Sequence, residues 1–208
     1  MTSLRGLDAI VAGIERDLDA RDRIRETSLT AARTIIRLAG GAMRGMHRGE
    51  NVARPLRAVR AEVARLRRTL HRSPEVLHGG AVEAALQEAA EAEIVNAVLH
   101  ARSLPEPAVL GVTSAAYVLG LGDAIGELRR LTLDRVRTGD MKEANRFADA
   151  MEEMYHALLR FDYPDPIVAV RHKQDVARGL LERTRGELAV ATRSAELEKK
   201  LARLVRRR

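Results

Sequence analysis

The chain has 208 residues and a mass of 23.0 kDa, enough for one domain with a proper core and awkward for two, so residues 1–208 read as a single domain. Its 46% hydrophobic and 31% charged residues exclude a chain too polar to bury a core, and three Tyr, two Phe and no Trp leave too little ring surface for base-stacking platforms. The absence of Cys excludes disulfides, thiolate metal sites and cysteine nucleophiles and leaves a cytoplasmic address as the default, while a net charge of +7 makes polyanions the natural partners.

The N-terminal run MTSLRGLDAIVAGIERDLD becomes charged too soon for the apolar segment of a signal peptide. Leu4, Leu7, Ile10, Ile14 and Leu18 open a long first helix that continues through Ile35 and Ile36 to about Met46, where HRGEN (47–51) turns the chain. Leu56, Val59, Val63, Leu66 and Leu70 step by three and four along a second helix after Pro55. HRSPEVLHGG then breaks the chain, a third helix covers roughly 81–101, and LPEP is the next break. A fourth helical region runs from about 107 to 138. Its most apolar run, PAVLGVTSAAYVLGLG, falls short of the roughly 18 residues that span a bilayer, so it reads as a buried helix with no membrane partner. Phe147, Met151, Met154, Leu158 and Phe161 mark a fifth helix, which DYPDP (162–166) stops. The final helix starts near 167 and carries Val190, Leu197, Leu201 and Leu204 at a heptad-like spacing that a partner helix could cover; the closing RRR reads as a solvated end. No stretch alternates as a strand does. The fold class is all-α, a bundle of about six to seven long helices with faces left over for self-association.

Two acidic pairs stand out. On a helical wheel Glu88 and Glu91 of LQEAAEAE lie about 60° apart beside Val95, Val98 and Leu99, where an unpaired carboxylate is costly unless a cation or donor meets it; Glu93 points nearly the opposite way and reads as a surface acid. In GLGDAIGELRR, Asp123 and Glu127 share one helix face with Gly120. Gly120, Gly122 and Gly126 each cost on the order of 1 kcal/mol relative to Ala, which calls for the close approach of another helix. If the two helices cross there, four carboxylates converge, and oxygen donors with no nearby His or Cys suit Mg2+ or Mn2+ rather than zinc. The structural alternative has Arg129, Arg130 or Arg65 neutralise these acids. A further alternative lies in Glu75-x-x-His78 and Glu153-x-x-His156, the spacing of di-iron bundles, although Pro74 and Gly79 flank the first and an apolar stripe makes His156 a structural, hydrogen-bonded residue.

Taken in order, TAARTIIRLAGGAMRGMHRGE (30–50), LQEAAEAEIVNAVLHARSLP (86–105), GVTSAAYVLGLGDAIGELRR (111–130), the FDYP turn and RHKQDVARGLLERTRGEL (171–188) resemble the translin superfamily, and its Trax branch more than translin itself. The resemblance covers about 30–188. It implies a translin-like bundle, a metal-dependent endoribonuclease acting on short or single-stranded RNA, and a homo-oligomeric shell of eight subunits. It also implies Mg2+, or Mn2+, held by Glu88, Glu91, Asp123 and Glu127, which would be both the metal ligands and the catalytic residues, with Glu91 and Glu127 the direct ligands. The alternative within the same family is a non-catalytic oligomer binding RNA or single-stranded DNA. Arg33, Arg37, Arg44 and Arg48 on the first helix, and Arg129 and Arg130 beside the acids, are the candidates for phosphate contacts, against solvated surface charge. On the last helix Arg171, Asp175, Arg178, Glu182 and Arg185 read as a salt-bridge ladder.

Overall fold

The structure is a computed structural model that describes residues 6–71 and 73–205, without the side chains of residues 74, 199, 203 and 205; Leu4 and the closing RRR lie outside the described residues. Among the described residues there are eight helices and no strand: α1 (Leu7–His47), α2 (Ala53–Leu70), α3 (Pro74–Leu77), α4 (Gly80–Leu99), α5 (Pro107–Leu110), α6 (Ser114–Arg137), α7 (Met141–Leu158) and α8 (Val170–Val205). The six long helices stand where the apolar periodicity places them, which confirms the all-α class.

Two boundaries differ from the sequence reading, each for a local reason. The region 107–138 is two helices, because Gly111 takes a left-handed conformation (φ 71°) and Thr113 caps α6 by accepting the Ala116 amide at 3.0 Å. PEVL closes one helical turn, α3, with Pro74 at its start where a missing N–H costs nothing.

At the centre lie α4 and α6. The helix α4 buries Val82, Leu86, Ile94 and Val95 along with Ala85, Ala89, Ala90 and Ala92, so it is apolar on nearly every side, and it packs against α1, α2, α6 and α7. The Thr113 hydroxyl also donates to Glu83 Oε2 at 2.6 Å, tying the start of α6 to α4. The first half of α1 and the end of α8 leave this core: Ile10, Ile14 and Leu18, and Val190, Leu197, Leu201 and Leu204, are all exposed within one chain.

Glycine sets the α4–α6 distance. A Cβ on Gly120 would lie 2.8 Å from the Gln87 carbonyl oxygen, 3.0 Å from the Glu91 amide nitrogen and 3.1 Å from Ala90 Cβ. Gly122 does the same for α8, since its Cβ would meet Lys173 Cβ at 2.9 Å. Gly126 is different, with only Leu180 Cδ1 near, at 3.8 Å. Gly120→Ala should therefore push backbone against backbone and cost about 1–3 kcal/mol, whereas Gly126→Ala should gain about 1 kcal/mol of helix propensity; denaturant melts of the two variants read opposite signs.

Candidate functional site

The α4–α6 crossing places Glu88 and Glu91 from α4 against Asp123 and Glu127 from α6. All four line one cavity of about 520 Å³, whose other wall is α1 through Ala39, Gly40, Met43, Arg44 and His47, with Arg130 on the α6 side. The four acids thus converge as the wheel and the glycines require.

Their partners are unequal. Asp123 is held by Lys173 of α8 and by Gln87, whose amide donates at 2.5 Å. Glu127 is hydrogen-bonded to His47 Nε2 at the end of α1, and the buried His47 Nδ1 has no partner, so the network fits an imidazole whose Nε2–H donates to the carboxylate and whose Nδ1 is a bare acceptor. Glu88 and Glu91 have no basic partner among the described residues. Burial, then Glu88, Asp123 and Glu127, push the Glu91 carboxyl up to about 8, and burial with Asp123 and Glu127 raises that of Glu88. Among the described residues no three His, Asp or Glu side chains are arranged to hold a metal ion as they stand. The chemistry of the donor set nonetheless fits a hard cation, because Glu91 is 8% exposed, makes no ion pair among the described residues, and feels Glu88, Asp123 and Glu127 more strongly than Lys173, the cation that partly opposes them.

The sequence reading departs from the structure at particular residues. Glu93 is no surface acid: it is 2% exposed and takes two bonds, both 2.6 Å, from Arg60 Nε and Nη2 of α2. The site does have a histidine, His47, and its internal cation is Lys173, fifty residues from Asp123 in sequence; only the folded chain brings either one in. The proposed neutralisers lie elsewhere, since Arg65 pairs with Glu62, and Arg129 turns to α8, donating to Thr184 Oγ1 at 2.6 Å and Glu187 at 2.8 Å. Of the phosphate candidates, Arg44 and Arg130 line the acidic cavity, Arg33 and Arg37 are exposed along α1 outside it, and Arg48 is paired with Glu50. The α8 ladder keeps one internal rung, Arg178–Asp175; Arg171 reaches Asp162 and Arg185 reaches Glu152. His156 is exposed, its ring tilted on Tyr155, and neither Glu-x-x-His pair lines the acidic cavity.

A carboxyl whose folded pKa is raised stabilises the fold fully below the ordinary carboxylate range and loses that contribution as pH rises through the folded value. With Glu91 at about 8, the metal-free protein should lose stability between about pH 4 and pH 8. Thermal melts in EDTA should show that fall in the wild type and a flatter profile in Glu91→Gln; parallel profiles would mean that Glu91 is ionised in the folded protein.

The Translin family model matches residues 49–184. An uncharacterised protein of Methanocaldococcus jannaschii is 29% identical over 188 residues, 88% of this chain and 83% of its own length. The crystal structure of AfC3PO superposes with a TM-score of 0.82 at 30% identity, covering 88% of this chain and 97% of that chain. A structure of AfC3PO in complex with duplex RNA matches with a TM-score of 0.72 at 27% identity over the same shares. Apo-NeC3PO, at 17% identity and a TM-score of 0.78 over 92% of this chain and 100% of its own, shares the fold. With a family model spanning more than half its length and the translin-type helical fold around it, the chain belongs to the Translin family.

Proposed function

We propose that the chain is a cytoplasmic, Trax-like, Mg2+- or Mn2+-dependent endoribonuclease that cleaves short or single-stranded RNA within a homo-oligomeric, octameric shell. The observation that carries this reading is Glu91: a carboxyl buried beside three others, with no ion-pair partner among the described residues and only the more distant Lys173 to offset them. Glu91 and Glu127 are the direct ligands in this reading, with Glu88 and Asp123 completing the anionic wall. Bound there, a divalent ion supplies an activated water and stabilisation of the leaving oxygen.

The other side chains have separable tasks. His47 fixes the Glu127 carboxylate, and Lys173 with Gln87 fixes that of Asp123. Arg44 and Arg130 on the cavity wall draw phosphates toward the acids, and Arg33 and Arg37 extend the positive track along α1. RNA as the partner is supported by the similarity to AfC3PO, which has been solved with duplex RNA. Self-association is supported by the apolar stripes left exposed on α1 and α8. Among the described residues no helix is long and apolar enough to cross a membrane.

One observation favours a second reading, a non-catalytic oligomer that binds RNA or single-stranded DNA. Asp123 and Glu127 already have partners in Lys173 and His47, so half of the acidic set is satisfied without a metal.

End-labelled single-stranded RNA separates the readings. The wild type should cleave it in Mg2+ and not in EDTA, and Glu91→Ala and Glu127→Ala should each lose at least about a hundredfold in rate while binding RNA as the wild type does. Binding that persists in EDTA with no cleavage in Mg2+ or Mn2+ would leave the binding oligomer as the function.

A further inference from the structure

A second polar cavity, of about 710 Å³, lies across the α1–α2 turn from the acidic one and shares no residue with it. Gly49 to Ala53 form its rim, Leu56, Arg57 and Arg60 of α2 one wall, and Asn96, His100 and Arg102 at the end of α4 the other. We propose that this cavity is a phosphate-binding site, distinct from the acidic site and independent of whether that site cleaves RNA.

Asn96 points to a ligand. It is 6% exposed and lines the cavity. The hydrogen bonds at this residue run to its backbone carbonyl, from His100 Nδ1 at 2.9 Å and Arg102 Nη2 at 3.4 Å, and its side-chain amide has none among the described residues. The amide opens onto the cavity with no protein partner, so its NH2 offers two donors, and its oxygen an acceptor, to whatever enters there.

The charge around it selects an anion. Arg57 makes no ion pair among the described residues, and the hydrogen bond of Arg102 is to a neutral carbonyl. Arg60 spends Nε and Nη2 on Glu93, which leaves Nη1 for the cavity. The one acid on the rim, Glu50, is already bonded to Arg48 through Nε at 2.5 Å and Nη2 at 2.9 Å. The amino end of α2 opens here with no acid in its first turn, so its dipole adds to the same sign. Amide donors, guanidinium forks and a helix N-terminus together match tetrahedral phosphate oxygens. The phosphate can come from a free phosphate or phosphomonoester, or from a nucleic-acid backbone.

The test is calorimetric titration of the full chain in EDTA with inorganic phosphate, beside anisotropy with a labelled RNA oligomer carrying or lacking a 5′-phosphate. Wild type and Glu91→Gln should bind phosphate alike, and Arg57→Gln/Arg102→Gln and Asn96→Asp should bind it at least about tenfold more weakly. If the source is RNA backbone, the double variant should also weaken RNA binding equally with and without the 5′-phosphate and flatten its salt dependence by about 1.4 log units per log unit of salt, two contacts' worth. If the source is a monoester, only the 5′-phosphorylated oligomer and free phosphate should respond. Unchanged phosphate and RNA affinities in both variants would overturn the site. Because EDTA suppresses any metal-dependent cleavage, failure here is distinct from failure of the nuclease reading.

Discussion

Everything at the acidic cavity depends on the contact between Gly120 and the backbone of α4. With no Cβ there, the two central helices approach until the Gln87 carbonyl sits where a side chain would begin, and the acids of both helices are drawn into one volume. The approach concentrates like charge in a low-dielectric setting, which is unfavourable by itself. The fold offsets part of it by bringing in cation and donor from a distance: Lys173 enters because Gly122 lets α8 sit equally close, and His47 enters because α1 ends there. The glycines of α6 thus both create the electrostatic problem and admit its partial remedy.

The same helix shows what a full remedy looks like. Glu93 is more deeply buried than Glu91, yet Arg60 meets it with a two-bond fork, and the pair closes the α2 side of α4. On the opposite side Glu91 has no such partner, and burial with three neighbouring carboxylates outweighs Lys173 and pushes its carboxyl up to about 8. Two glutamates two residues apart on one buried helix therefore do different work: Glu93 joins helices, and Glu91 leaves a carboxyl without an ion-pair partner at the edge of a cavity.

Much of this is legible in the sequence. Helix positions follow from apolar spacing, a close helix approach from the cost of the α6 glycines (Gly120 toward α4 and Gly122 toward α8, while Gly126 needs none), and the convergence of the acids from their wheel positions, all of which are local properties. What escapes is whatever depends on a distant partner. Glu93 looks like surface because a wheel shows direction and not what lies in that direction; Arg60, thirty-three positions away, decides it. Lys173 and His47 escape for the same reason. The division of residues 107–138 is a different failure: Gly111 and Thr113 are visible stop and start signals, and the apolar run across them outweighs them in a periodicity reading.

The distribution of satisfied and unsatisfied polar groups orders the surface around the α1–α2 turn. On one side of it acids exceed bases; on the other Arg57 and Arg102 exceed acids and the Asn96 amide opens onto the cavity without a protein partner. Neither arrangement helps the chain fold, because each leaves charge or donors that a better-compensated core would pair. The two stand on either side of the end of α1 at His47 and the tight turn through Arg48 and the left-handed Gly49 (φ 70°). On the proposals above, an anionic chain crossing that turn would meet a region that attracts its phosphates and, within a few residues, a region whose own negative charge would admit it only with a cation. In the proposed nuclease, that order of fields would make metal dependence a property of where a phosphate can come to rest, and not of affinity for the polymer as a whole.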